Sequence, residues 1–454
     1  MSSAVSSIRR VPRRGKGVPA WVWLVALFGL LIVGQGALRK WIFPGLATPL
    51  YAAKDAVILG ALLLFGQRYG YRLAAPLRRT LLPALWGGFA FVVVLQAFNL
   101  NVPSVAVGVL GIRSYLLYST LLILLPAALQ HVERPERLVT VVVLGVIVPV
   151  LVLGIYQYFQ PQDAWINDYL AEDMEVAAVM GHTRIAGTFS YLGGMAPFLT
   201  FSAFLGLGIL VAGVRHEHQW YKALGGGLLL LALTVAPMNG SRGVVYGMLL
   251  PLPFVLYVVS TRRSLGALLG TMLIVAVVGG AVAIESELAT AGWKTITHRI
   301  ETASDQDTRI QTMLLDPVRK VPVGGVLGYG AGSTHQAATR LSETGRVQIE
   351  GVYYEGELGR VLIELGVVGA LLFLALKVWL AWIAWRAMRR ARTAWEDLLS
   401  ILSFCVLFLN AGVGMIVFNH IAGSIYWLCA GCAVWVWSRQ DIDAGIQQKS
   451  VTTA

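Results

Sequence analysis

The sequence predicts an all-α polytopic membrane protein, and three observations carry that reading. Of the 454 residues, 57% are hydrophobic and only 13% charged, where soluble domains carry about 25% charged residues. The mean hydropathy is +0.68. Apolar runs of about 20 residues, enough to cross a hydrocarbon core, recur along the chain, and about twelve can be counted.

They fall near 20–38, 49–66, 80–98, 104–129, 138–158, 191–213, 223–240, 243–260, 265–284, 357–378, 398–417 and 420–437. Loops rich in Lys and Arg stay on the cytoplasmic side, which fixes an orientation. Arg9, Arg10, Arg13, Arg14 and Lys16 precede the first run, and Arg68, Arg72, Arg78 and Arg79 follow the second. The same side then receives Arg134, Arg137, Arg215, Lys222, Arg262, Arg263, the run from Arg386 to Arg392, Arg439 and Lys449. An even number of spans with both termini inside fits this pattern. The predicted organisation is a basic tail at 1–17, nine spans within 18–284, an outward loop at 285–356, three spans within 357–437 and a second tail at 438–454.

The first run lacks a small-residue cleavage site and continues into Arg39-Lys40-Trp41, so it reads as a retained helix and not as a signal peptide. The net charge of +12 is mostly the topology signal, and nucleic-acid binding is not inferred from it. Cys405, Cys429 and Cys432 all lie in apolar runs. The CxxC spacing of the last two reads as small apolar packing residues before redox or metal chemistry.

Two outward segments are long, 159–190 and 285–356. In the larger, Ile310, Met313, Leu314 and Val318 form one apolar helical stripe, with Asp305 or Asp307 as its N-cap and Pro317 with Pro322 as its end. There follow Gly328-Tyr329-Gly330-Ala331-Gly332-Ser333, then Tyr353-Tyr354-Glu355-Gly356-Glu357-Leu358-Gly359-Arg360, then Glu364-Leu365-Gly366. Gly328, Gly330 and Gly332 predict a backbone that can approach another group closely.

Basic residues on the outward side run against the orientation bias, so each calls for a local cause. Arg184 lies in Thr183-Arg184-Ile185-Ala186-Gly187-Thr188-Phe189-Ser190, and Arg242 in Asn239-Gly240-Ser241-Arg242-Gly243, between two spans. An arginine at membrane depth is costly unless it faces a cavity or an anion, and its fork matches phosphate oxygens. Arg242, Arg309 and Arg184 are therefore the candidate diphosphate site, against snorkelling to headgroups or pairing with a carboxylate. Arg299, Arg319, Lys320, Arg340 and Arg346 read as solvated loop charge.

Glu350, Glu355, Glu357 and Glu364 cluster where the chain returns to the membrane. Glu355 is the first candidate for activating an acceptor hydroxyl and Glu357 the second, provided burial raises the carboxylate pKa. Glu364 reads as paired with Arg360 at i−4. His335, two residues beyond Ser333, and Tyr329 are candidate substrate contacts. Trp293, Tyr353 and Tyr354 could stack on sugar rings, though an interfacial anchor is the plainer role. No histidine pair has metal-site spacing, and no P-loop, dinucleotide fingerprint or GxSxG elbow is present. Lys54, Asp55 and Arg113 fall inside apolar runs, as a structural ion cluster or as lining of a lipid-substrate cavity.

With these residues in view, the chain resembles the O-antigen polymerase and O-antigen ligase superfamily of bacterial envelope polysaccharide enzymes. The resemblance rests on about twelve spans, Ser241-Arg242-Gly243, the late outward loop leading into Gly328-Tyr329-Gly330-Ala331-Gly332, Glu364-Leu365-Gly366-Val367-Val368-Gly369, and the Arg184-x-x-Gly187-Thr188-Phe189 segment. It implies a GT-C-like glycosyltransferase of the bacterial inner membrane with a periplasmic active site and no metal or nucleotide cofactor. Its donor would be a glycan on undecaprenyl diphosphate, held by Arg242 and Arg309. A glycan acceptor and a chain-length regulator or export complex are the expected partners. Ligases of this family have His-Asn where this chain has Glu355-Gly356, which favours a polymerase over a ligase. A flippase or transporter is the rival of another class, but neither the internal repeats nor the midplane-broken helices of transporters are visible. A non-catalytic export scaffold would leave the arginine and glycine elements unexplained.

Overall fold

The computed structural model describes residues 17–70, 77–170, 175–262, 264–273, 287–301, 315, 317–341, 356–412 and 414–452. Its helices are α1 (Ala20–Ala37, extended by a π-helical turn Leu38–Ile42), α2 (Ala47–Tyr69), α3 (Leu82–Ala97), α4 (Val105–Leu116), α5 (Leu121–Ala128), α6 (Pro135–Val142), α7 (Val148–Phe159), α8 (Leu192–Arg215), α9 (Gln219–Val235), α10 (Arg242–Leu249), α11 (Leu252–Thr261), α12 (Glu287–Glu301), α13 (Glu357–Arg390), α14 (Ala394–Gly412) and α15 (His420–Thr452). The sheet among the described residues is a single two-residue hairpin, Ala178–Val179 with His182–Thr183. Its turn, Met180-Gly181, takes positive φ at both residues, which suits the twist of a tight hairpin.

The protein is a multi-pass membrane protein: ten helical segments among the described residues are long and apolar enough to cross a bilayer. They match ten of the expected runs, with α4 and α5, α6 and α7, and α10 and α11 each acting as one segment. The run at 80–98 becomes α3, only 16 residues long, and the run at 265–284 is described only to residue 273. Large apolar side chains face outward along the helices, including Phe91, Val105, Val141 and Leu371, as lipid solvation allows and water would not.

The centre of the bundle is α8, whose apolar window is 89% buried. It packs closely on α9 through small residues: a Cβ at Gly225 would lie 2.4 Å from the Leu210 amide nitrogen. At one end of the bundle the basic residues gather on the fully buried Asp397 of α14. Arg215 pairs with it, His216 Nε2 lies 2.8 Å from Oδ2, and Arg262 lies 3.7 Å from Oδ1. The ends of α8 and α11 are thereby tied to one carboxylate near the start of α14.

The opposite end carries the polar loops, and there two expectations change. The segment 357–378 is not one straight span. Within the continuous helical run of α13, Gly366 has φ 68° and ψ −175°, a region open only to glycine. The break frees two carbonyls, which Tyr329 N–H (2.7 Å to Ile363 O) and Gly330 N–H (2.9 Å to Glu364 O) fill. Val367 N–H in turn reaches Gly325 O at 3.0 Å. Residues 357–365 thus form a short inserted helix that folds back on the rest of α13, a non-helical interruption tolerated because protein surrounds it.

The second change concerns the loop helix. Pro317 and Pro322 do not end it: residues 317–324 are helical, and the stop is Gly325 at φ +59°, whose N–H bonds Val321 O at 2.9 Å. A left-handed glycine satisfies the last carbonyls more completely than a proline can. The earlier part of that helix, with Arg309, Ile310, Met313 and Leu314, lies outside the described residues, as do Asp305 and Asp307.

Candidate functional site

The Arg242 element is built on a turn. Pro237 closes α9 into a 3-10 turn, Ala236–Asn239, and Gly240 follows at φ 66° before Ser241 opens α10. The segment 183–190 lies across this turn. Arg184 Nε donates to Asn239 O at 2.9 Å, and Asn239 Nδ2 donates to Ile185 O at 2.9 Å. Only glycine fits under that guanidinium, since a Cβ at Gly240 would meet Arg184 Nε at 2.8 Å. Arg184 therefore reaches the carbonyl of the residue three before Arg242, and both arginines are half-buried. On the other side α12 packs against the turn through Gly292, near Met238, and Thr295, whose hydroxyl lies 2.6 Å from Tyr158 Oη. Burial raises the pKa of the Tyr169 hydroxyl, opposed by the Ala177 N–H and by the charge of nearby Arg184. Trp293 on α12 is 49% exposed, as an interfacial aromatic would be.

The same segment continues to the end of α1. Gln157 clasps Gly187 from both sides, accepting from its N–H at 2.7 Å and donating to its carbonyl at 3.1 Å. Thr188 Oγ1 donates to Val33 O at 2.6 Å, and Arg39 Nη1 donates to Ser190 Oγ at 3.2 Å. Six residues span at most about 20 Å, so the Arg242 turn and the Arg39 end of α1 are bridged by one short, hydrogen-bonded segment.

The glycine-rich loop has a different role from a free backbone cradle in this conformation. Gly328, Gly330 and Gly332 all have positive φ, and each abuts protein: Gly328 the broken part of α13, Gly330 the Val102 side chain and Gln96 carbonyl, Gly332 the backbone of α4. Tyr329 beside them is half-buried. The loop is held by Glu364, which is fully buried. Its carboxylate accepts from Gly332 N–H, Thr334 N–H, Thr334 Oγ1 and Tyr115 Oη at 2.9, 2.9, 2.6 and 2.9 Å. The expected pairing with Arg360 is bridged: Arg360 Nε donates to Thr334 Oγ1 at 3.2 Å, and its guanidinium lies 3.5 Å from the Phe418 ring centre.

Glu357 is buried, with Lys377 Nζ 3.2 Å from one oxygen and the Val417 N–H 2.7 Å from the other. It ties the inserted helix to the chain before α15. Lys320, expected to be solvated, is 3% exposed, because the helix through 317–324 continues into the bundle end. Glu355, Tyr353, Tyr354 and Arg346 lie outside the described residues.

His335 is brought to His420, with ring centres 5.9 Å apart and planes at 25°. His420 Nε2 lies 3.2 Å from Arg113 Nη1. A guanidinium only donates, so Nε2 accepts and the ring proton sits on Nδ1. Arg113 also bonds Asp55 at 2.6 Å, and Asp55 accepts from Tyr118 Oη at 2.6 Å. Three cations surround the ring of Tyr51: Arg39 at 5.1 Å, Lys54 at 5.3 Å and Arg113 at 5.0 Å from its centre. No two can then be more than about 10 Å apart, a separation at which like charges repel by about 1.7 kcal/mol at an effective dielectric near 20. The residues Lys54, Asp55 and Arg113 stood out in the sequence. The contributions of Arg39 and His420 did not, because they come from other helices, and the Tyr51 ring, on α2 with Lys54, matters only where those helices meet it.

A comparison with models of known protein families found no match, and a comparison with curated proteins found none either.

Proposed function

We propose that the chain is an integral-membrane glycosyltransferase that polymerises undecaprenyl-diphosphate-linked oligosaccharide repeat units into an exported polysaccharide at the periplasmic face of the bacterial inner membrane. The supporting observation is the Arg184 hydrogen bond to Asn239 O: it sets two guanidinium-bearing elements on one turn at the loop end of the bundle. Arg242, with Arg184 beside it and Arg309 on the late loop, would neutralise the diphosphate as charge develops on the leaving group. The acceptor hydroxyl attacks the anomeric carbon, the bond from that carbon to the diphosphate oxygen breaks, and the proton passes to Glu355. Undecaprenyl diphosphate leaves with its tail still in the bilayer. The motif resemblance and the placing of polar loops at one end of a bundle of apolar helices support the same reading.

The test is purified protein in liposomes supplied with the lipid-linked repeat unit. Products longer by whole repeats are expected. Transfer to a different acceptor would make the chain a ligase, and an unchanged glycan would move it to transport or scaffolding.

A further inference from the structure

We propose that Lys54, Arg113 and Arg39 around Tyr51 form a second phosphoryl-anion site, joined to the Arg242 turn by the 183–190 segment and taking a phosphate monoester or diphosphate group. The charge count is the first argument. Arg39, Lys54 and Arg113 share one ring, and among the described residues the carboxylate beside them is Asp55, already engaged by Arg113 and Tyr118. Lys54 is 2% exposed, faces the rings of Tyr51 and Tyr118, and forms no hydrogen bond or ion pair among the described residues. Buried ammonium groups are paired as a rule, so an anion of two negative charges is the missing partner.

Donor geometry is the second argument. Arg113 uses Nε on Asp55 and Nη1 on His420, while Nη2 is buried with no hydrogen-bond partner among the described residues. A phosphoryl oxygen supplies what Nη2 and the Lys54 ammonium lack, and several such oxygens can serve both at once. Access is the third. The Arg113 side chain keeps 17% of its exposure, and Val109 and Val105, one and two helical steps of four before it, are 58% and 73% exposed. Side chains on a helix lean toward its N-terminus, so Arg113 leans along a lipid-facing stripe toward the loop end. The anion could be a lipid headgroup arriving sideways or a free phosphate from the loop end.

Binding is measured in the Arg242→Ala protein, so that the principal arginine of the proposed active site does not contribute. One arm titrates inorganic pyrophosphate by phosphorus NMR line broadening in detergent. The other uses phosphatidylcholine nanodiscs with or without phosphatidic acid, and counts retained lipid by native mass spectrometry. Lys54→Met added to this protein should weaken binding in at least one arm by tenfold or more, and Lys54→Arg should largely preserve it. Loss in the pyrophosphate arm alone identifies a free anion, and loss in the lipid arm a headgroup. In the otherwise unaltered chain without added anion, Lys54→Met should also raise the thermal midpoint, since it removes an unbalanced buried charge. Unchanged affinities in both arms, no binding of either probe, or a lowered midpoint would overturn the proposal.

Discussion

The Lys377 ammonium lies 3.2 Å from the Glu357 carboxylate, although both belong to the single helical run of α13. In a straight helix a 20-residue separation is about 30 Å, so this contact exists only because Gly366 reverses the chain. The pair is buried at both ends, with side-chain exposures of 5% and 2%. Lys377→Met should therefore strand a buried carboxylate and destabilise the protein by about 3–5 kcal/mol. Glu357→Gln combined with Lys377→Met should recover most of that loss, because neither charge is then left alone. Thermal unfolding of both single variants and the double variant in detergent gives the coupling; strictly additive effects would show that the two side chains do not meet.

Glu364 predicts a second outcome of a different kind. Four donors converge on its carboxylate, and an amide in its place would turn a donor toward donors. Hydrogen bonds to a charged group contribute about 1.5–3 kcal/mol each when lost in burial, so Glu364→Gln should lower the thermal midpoint and expose the 328–341 segment to protease. Glu364→Asp should do nearly as much damage, since the shorter side chain cannot reach both Gly332 and Thr334. Wild-type protease resistance in the Gln variant would mean that the loop is held by other contacts.

How much of this was legible beforehand depends on the range of the interaction concerned. Hydropathy is local, so ten of the twelve expected spans could be placed from the chain alone. The Gly366 break could not: Glu-Leu-Gly-Val-Val reads as continuous helix, and the N–H groups that make the break tolerable come from Tyr329 and Gly330, more than 30 residues earlier. Arg360 and Glu364 were paired by helical spacing, which is correct about their face and silent about Thr334, the residue that bridges them. Lys54, Asp55 and Arg113 announced themselves as charges in apolar runs. Their chemistry needed Arg39 and His420 from two further helices. Glu355 and Arg309, on which the proposed transfer depends, lie outside the described residues, so the resemblance remains their support.

Sidedness gives a third prediction. Cys405, Cys429 and Cys432 are all buried, so the unmodified chain should be silent to a membrane-impermeant maleimide. Leu100→Cys, at a fully exposed position between α3 and α4, should label in intact spheroplasts. Glu133→Cys, exposed before α6, should label only after permeabilisation. The reverse pattern would invert the orientation drawn from the basic loops and place the proposed site in the cytosol.

The arginines supply the fourth prediction and the most direct test of the proposed chemistry. Arg242 begins α10, and Arg184 reaches Asn239 O on the adjoining turn, so the two substitutions should fail in different ways. Arg242→Ala should abolish polymer, measured as repeat-unit ladders from cells, while the protein remains inserted at normal abundance. Arg242→Lys should restore little, because an ammonium cannot match two phosphoryl oxygens with a fixed fork. Arg184→Ala removes a charge and also loosens the 183–190 segment from the turn, so it should lower both yield and thermal midpoint. A loss of about 1–3 kcal/mol is expected, because the hydrogen bond to Asn239 O is made by a charged donor. Arg184→Lys should retain part of the charge effect but not the Nε contact, which makes it the variant that separates anchoring from electrostatics. Normal ladders from both alanine variants would end the assignment of these residues to a diphosphate.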